Sequence, residues 1–145
     1  MKTQPNYILL STLACFTACF GDLLALCIFG EYYPGYSHLK NTISHLGSSD
    51  SPIVLQASAW SVFLGILFIL FALGFRKAYA EKGFSAQLAS TLIILYALGE
   101  GIGSGIFRAD PISGQLTALG IIHEVTGGIG VIAILLLPLV MPKVI

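Results

Sequence analysis

The sequence predicts an all-α integral membrane protein, a bundle of about four transmembrane helices, on the strength of three observations. Apolar residues make up 56% of the 145-residue chain and charged residues only 10%, whereas about a quarter of a soluble domain is normally charged. Four apolar runs each approach the roughly 20 helical residues that are needed to cross a hydrocarbon core. These runs are continuous and lack the alternation of barrel strands, so helices are the remaining way to pair every backbone polar group in lipid.

The four predicted spans are joined by one long loop and two short ones. The first loop, residues 30–52, is rich in Gly, Pro, Tyr and Ser; residues 76–83 form a basic connection, and residues 108–111 form a tight turn. The length suits a single transmembrane domain over residues 1–145, with membrane lipids as its surroundings. A formal net charge of zero argues against a nucleic-acid partner. The spans cover approximately residues 7–29, 53–75, 88–107 and 116–140.

A short interfacial helix is predicted within the first loop. Ser37 can cap its start and Gly47 can end it. Leu39, Ile43 and Leu46 then fall on one side of the helix, opposite a polar side. This pattern is typical of an amphipathic helix that lies at the membrane surface.

The distribution of basic residues predicts the orientation of the bundle in a cell membrane. Five basic residues lie on the side of the two termini, and two lie on the other side. Because cytoplasmic loops carry the excess of Lys and Arg, both termini are expected in the cytoplasm and the first and third loops outside. The five are Lys2, Arg76, Lys77, Lys82 and Lys143, and the two are Lys40 and Arg108.

Three acidic residues lie inside the predicted spans, at similar depth towards the outer ends of three different helices. They are Asp22, Glu100 and Glu124, and His123 is adjacent to the last of them. A charged side chain at bilayer depth costs at least a few kcal/mol unless it is paired or hydrated, so intramembrane acids are candidate functional residues. We expect the three acids to approach one another, with His123 or Arg108 as partners.

The third span adds two predictions. Glu100, Ser104 and Arg108 follow an i, i+4, i+8 spacing, which places them on one face of a helix. The glycines at positions 99, 101, 103 and 105 are not preceded by a strand, which argues against a dinucleotide-binding motif. They are predicted to form small-residue pairs that let neighbouring helices approach closely.

The histidines and the outer basic residues suggest two kinds of ligand. His38, His45 and His123 all lie on the outer side, and imidazoles together with carboxylates suit a divalent transition metal. The alternative is that His38 and His45 are interfacial polar residues and that His123 is a packed residue of the bundle. Arg108 with Lys40 could instead hold a lipid phosphate, since a guanidinium pairs with phosphate through two hydrogen bonds.

Four short motifs are spread over most of the chain: Pro34-Gly35-Tyr36, Asn-Thr-Ile-Ser-His-Leu-Gly at 41–47, Gly-Ile-Phe-Arg-Ala-Asp-Pro at 105–111 and His-Glu-Val-Thr-Gly-Gly at 123–128. Together they resemble a prokaryotic family of multipass membrane proteins that is catalogued as domain of unknown function 998. The resemblance implies a multipass helical fold, points to Asn41, Ser44, Asp110 and His123 as motif positions, and implies no activity. His45 stands where an acidic residue is expected, and four spans instead of about six suggest a short form or a missing C-terminal pair of helices.

Three functions are compatible with these observations. The first is a site on the outer face that binds a metal ion or a lipid head group, built from the polar residues named above. The second is a structural or assembly subunit, in contact with another membrane protein or a second copy, whose buried charges fix helix register. The third is a small proton-linked transporter. Trp60 is predicted to anchor its helix at the membrane interface, and no metalloprotease, CxxC or serine-nucleophile motif predicts a reaction.

Overall fold

Four long helices dominate the computed structural model, which describes residues 4–111 and 114–144 and is 79% helical. Within these residues, four helices are long and apolar enough to cross a membrane. The prediction of an all-α membrane bundle with four spans is therefore confirmed. The helices are α1 (Gln4–Glu31), α2 (Val54–Ala78), α3 (Phe84–Tyr96), which continues through a π-helical segment (Ala97–Gly103) into the single turn α4 (Ser104–Ile106), and α5 (Ala118–Val140).

The start of α1 and the end of α5 lie at the same end of the bundle, which we call the terminal end. The ammonium nitrogen of Lys77, near the end of α2, lies 3.9 Å from the centre of the Tyr7 ring at the start of α1. Val144, just after α5, packs in one buried cluster with Phe75 of α2. Most of the basic residues that predict the orientation therefore share this end, although Lys2 lies outside the described residues.

The first and third loops meet at the opposite end, which we call the loop end. The backbone N–H of Ser49 donates to the carbonyl of Ala109 over 3.0 Å, and Ser48 pairs with Ala109 in an isolated β-bridge. Both Ser48 and Ala109 are buried. The two loops therefore form one connected layer over the ends of the helices.

Small side chains make up most of the helix interfaces. The hydroxyl of Ser90 on α3 donates to the carbonyl of Ala72 on α2 over 2.9 Å, and both residues are buried. Because lipid does not drive apolar side chains together, membrane helices gain stability from close backbone approach and from such interhelical hydrogen bonds. The buried alanines of the helices are Ala14, Ala18, Ala25, Ala72, Ala86, Ala89, Ala97 and Ala133.

The glycines of the third span pack against two different helices. A Cβ atom at Gly99 would overlap the carbonyl oxygen of Thr126 on α5, and one at Gly101 would lie 2.6 Å from Cα of Gly65 on α2. Gly103 likewise faces α5 and Gly105 faces α2. The predicted role of these glycines in close packing agrees with the structure.

The helix in the first loop is shorter than the sequence predicts. It is a 3₁₀ helix that spans Ile43–Gly47, while the side-chain oxygen of Asn41 accepts a 2.9 Å hydrogen bond from the backbone N–H of Ser37. An Asn side chain that bonds to nearby backbone offers an alternative to a helix, which explains the late start. The predicted apolar face is accordingly divided, because Leu46 is 2% exposed and Leu39 is 97% exposed.

Candidate ligand-binding cavity

A cavity of about 160 Å³ lies between α1, α2, the π-helical segment and α5, towards the loop end. A cavity of about 150 Å³ is large enough to hold a benzene molecule, so this space suits a small head group and not a whole lipid. The 3₁₀ helix of the first loop contributes Ser44 and Leu46 to the lining. The remaining polar lining residues are Asp22, Ser58, Trp60, Ser61, Tyr96, Glu100, Ser104 and His123.

Asp22 of α1 is held by a tryptophan from the neighbouring helix. The indole N–H of Trp60 donates to one carboxylate oxygen of Asp22 over 3.1 Å. A Cβ atom at Gly21 would lie 3.0 Å from the Trp60 ring, so this glycine allows the indole to lie close to the backbone of α1. Trp60 is therefore part of the cavity as well as an aromatic residue near a helix end. The available signal in the sequence is that a Trp in an apolar segment needs an acceptor for its N–H.

Glu100 lies in the middle of the π-helical segment and faces α5. A Cβ atom at Gly127 would lie 2.8 Å from a carboxylate oxygen of Glu100 and 3.1 Å from the hydroxyl of Ser104. The absence of a side chain at Gly127 therefore leaves the space that these two groups occupy. The hydroxyl of Ser61 on α2 donates to the carbonyl of Gly101 over 2.8 Å, which satisfies a backbone group of the π-helical segment. Such segments are frequent at functional sites.

His123 is oriented by a backbone carbonyl. Its side chain is 6% exposed, and Nδ1 lies 2.7 Å from the carbonyl oxygen of Phe107. A carbonyl can only accept a hydrogen bond, so Nδ1 carries the proton and donates. The other ring nitrogen, Nε2, makes no hydrogen bond within the described residues. In the neutral ring it is an acceptor that is available to a ligand in the cavity.

Tyr96 lines the cavity together with the two carboxylates. Its ring packs edge to face on Phe68, with centroids 5.3 Å apart, and both side chains line the cavity. The cavity brings together two of the three intramembrane acids, Asp22 and Glu100. This tyrosine was not among the residues predicted from the sequence.

Glu124 and Arg108 do not join the cavity. Glu124 is exposed on α5, because successive helical residues diverge by about 100° and the preceding residue, His123, faces inward. Arg108 is also exposed, because the helix ends at Ile106 and Phe107 is extended, with ψ of 113°. Of the three residues predicted on one face, only Glu100 and Ser104 share the lining.

A second, more open pocket lies within the first loop and contains two of the predicted site residues, Asn41 and His45, together with Tyr36 and Asp50. The Nδ1 atom of His45 lies 3.1 Å from the hydroxyl of Thr42, and its Nε2 atom is buried with no hydrogen-bond partner among the described residues. Burial raises the pKa of the Tyr36 hydroxyl above its usual value. His45 therefore lies in a different pocket from His123.

The other predicted residues lie at separate places on the loop end. His38 is exposed against the ring of Tyr36, with centroids 4.9 Å apart, and Lys40 is exposed. Asp110 accepts hydrogen bonds from the backbone N–H and the hydroxyl of Thr117, at 2.7 and 2.8 Å, and so ties the third loop to the start of α5. Within residues 4–111 and 114–144, no group of three or more His, Cys, Asp or Glu is placed to hold a metal ion. The geometry therefore gives no support to a metal site shared by the histidines.

Comparison with known proteins gives one match. A family model described as "Protein of unknown function (DUF998)" matches residues 16–144, a range that includes every residue that lines the cavity. No curated protein and no solved structure matches the chain.

Proposed function

The chain belongs to the DUF998 family, and we propose that it is a ligand-binding membrane protein that holds the head group of a lipid or another amphiphile in the cavity. The observation that carries this proposal is the convergence of polar groups from four membrane-spanning helices on a cavity of head-group size. The same cavity has apolar walls, to which Leu26, Phe29 and Leu64 contribute. An amphiphile combines a polar head group and an apolar chain in one molecule.

The polar groups of the cavity are incompletely paired with one another. The carboxylate of Glu100 and the Nε2 atom of His123 make no hydrogen bond within the described residues, and Asp22 accepts one from Trp60. A polar group that is left unsatisfied in an apolar environment costs free energy. A bound head group would supply the missing partners, whereas a purely structural role would be served by pairing these side chains directly.

The proposal extends to the orientation of the cavity. Four basic residues lie at the terminal end, namely Arg76, Lys77, Lys82 and Lys143. Two others, Lys40 and Arg108, lie at the loop end. By the positive-inside rule, the terminal end is cytoplasmic and the cavity lies in the outer half of a cell membrane. A ligand would then enter from the outer leaflet or from outside the cell.

The packing of the terminal end favours binding over transport. A buried cluster lies there, which consists of Phe75, Ala86, Ala89 and Val144. Tyr79 and other apolar residues pack against this cluster. A carrier would need this cluster to open, because its substrate has to leave the cavity towards the other side. A binding protein needs access from one side only.

A pair of substitutions on α2 tests the proposal. Ala57 lines the cavity, whereas Ala59, on the same helix, is exposed and does not. Ala57→Phe is expected to fill the cavity and abolish binding, and Ala59→Phe adds the same side chain elsewhere. Binding is measured by native mass spectrometry in a polyoxyethylene detergent. The probes are dodecyl amphiphiles with ammonium, glucoside or phosphate head groups, offered one at a time.

The expected result is a bound amphiphile in the parent and in Ala59→Phe and its loss in Ala57→Phe. Circular dichroism and size-exclusion chromatography establish that both variants are folded. Retention of every bound amphiphile by a folded Ala57→Phe protein would show that the cavity is not the binding site.

A further inference from the structure

We infer that the cavity selects a cationic ligand, an organic ammonium head group. This inference rests on the proposed function, because it names the chemistry of the ligand for the same cavity. It follows from three features of the lining, which are its charge, its hydrogen-bonding groups and its aromatic rings.

The first feature is an uncompensated negative charge. Asp22 lies on the α1 side of the cavity and Glu100 on the side of the π-helical segment, and the described lining residues include no Lys or Arg. The exposed cations of the loop end, Lys40 and Arg108, do not line the cavity. Charged side chains in membranes are normally paired. A positively charged ligand would supply the counter-charge, and a phosphate or a sulfate would add to the excess of negative charge.

The second feature is an excess of hydrogen-bond acceptors. An ionised carboxylate can only accept, and the carboxylate of Glu100 makes no hydrogen bond within the described residues. The Nδ1 proton of His123 is engaged by the carbonyl of Phe107, which leaves Nε2 as an acceptor in the neutral ring. The unoccupied acceptors therefore come from two elements, the π-helical segment and α5. An ammonium group that carries N–H donors matches them.

The third feature is the set of aromatic rings. Trp60, Phe68 and Tyr96 line the same cavity as the two carboxylates. Aromatic faces attract cations, and tryptophan does so most strongly, so a combination of rings and carboxylates suits ammonium ions with or without N–H groups. A divalent metal ion fits less well, because no group of three ligating side chains is assembled within the described part of the chain.

The test compares probes that share a dodecyl chain and differ in head-group charge. Dissociation constants for dodecylammonium, dodecyl glucoside and dodecyl phosphate are measured on the purified full-length protein in a neutral detergent. Binding that remains in Ala57→Phe is subtracted as nonspecific. We expect the cation to bind at least about tenfold more tightly than the neutral probe, because one hydrogen bond to a charged group contributes about this much to the affinity.

Two glutamates provide a matched pair of variants for the same measurement. Glu100→Gln removes a carboxylate that lines the cavity, and Glu124→Gln removes an exposed one on α5. The first variant is expected to lose about tenfold of the preference for the cation, and the second to keep it. Should Glu100→Gln fail to fold, Asp22→Asn replaces it, because the amide oxygen can still accept the hydrogen bond from Trp60.

The possible failures are distinguishable. Equal affinities for the cationic and the neutral probe, both abolished by Ala57→Phe, would overturn the inference and leave the proposed function in place. An equal loss of cation preference in Glu100→Gln and Glu124→Gln would also overturn it, because the effect would then not come from the cavity. Absence of any binding that is sensitive to Ala57→Phe would refute the proposed function and the inference together.

Discussion

Gly127→Ala is the smallest change that should displace a carboxylate of the cavity without removing it. The new Cβ atom would lie 2.8 Å from a carboxylate oxygen of Glu100, whereas ordinary contacts begin at 3.4 Å. The oxygen must therefore move by about 0.6 Å, close to the ~0.5 Å within which a functional constellation has to be held. The hydroxyl of Ser104, at 3.1 Å, must move as well.

Gly128→Ala is the matched control for this substitution. The two glycines are adjacent on α5, but a Cβ atom at Gly128 would meet nothing within 4 Å. Both substitutions remove the backbone freedom of a glycine and raise helix propensity, by up to about 1 kcal/mol in water. The difference between the two variants therefore isolates the contact with Glu100 and Ser104.

The expected outcome is a loss of about tenfold in affinity for dodecylammonium in Gly127→Ala, worth about 1.4 kcal/mol. Gly128→Ala should bind like the parent. The assay is the native mass-spectrometry titration described above, with thermal unfolding in detergent as a check on folding. Equal affinities in the two folded variants would refute the reasoning, since the position of the Glu100 carboxylate would then not matter for binding.

Two other predictions concern the partner of Asp22 and the orientation. Trp60→Phe keeps an aromatic ring but removes the N–H that donates to Asp22 over 3.1 Å. The free energy of unfolding, measured in detergent, should therefore fall by about 1–3 kcal/mol. An unchanged free energy of unfolding would mean that this hydrogen bond is not made. In a variant without the native cysteines, a membrane-impermeant thiol reagent applied to whole cells should label a cysteine placed at Ser49 and spare one placed at Glu81. The reverse pattern would put the cavity in the cytoplasmic half of the membrane.

The positions of the spans could be predicted from the sequence because hydropathy is a strong signal over about 20 residues. The boundaries were less accurate, since α2 continues to Ala78 and α3 begins at Phe84. Hydropathy marks the part of a helix that lies in lipid, whereas the helix itself continues into the polar interface. Arg76 and Lys77 accordingly lie in the last turn of α2, although the predicted span ended before them.

The candidate site could be predicted in part, because an acidic residue within an apolar segment is easily recognised in the sequence, whichever face of the helix it occupies. Asp22 and Glu100 line the cavity, but Glu124 does not. Depth along a helix can be counted from the sequence, whereas the face to which a side chain points depends on how the helices rotate against one another. Trp60 could not be assigned to the site for a related reason, since an aromatic residue near a helix end usually anchors the helix at the interface. Tyr96 lies near the middle of its span, and its direction likewise depends on the rotation of the helix.

The π-helical segment explains why the spacing of an ideal α-helix did not correctly predict which residues of the third span share a face. The same segment links the packing of the bundle to the cavity. Its backbone bonds follow a longer repeat than i→i+4, so the face assignment changes after Tyr96. A Cβ atom at Gly130 of α5 would lie 2.7 Å from the backbone nitrogen of Glu100, and Gly101 packs against Gly65 of α2. The backbone that carries Glu100 is thus held closely on both sides. A carboxylate that emerges from so tightly packed a segment is positioned before any ligand arrives, and such preorganisation lowers the entropic cost of binding.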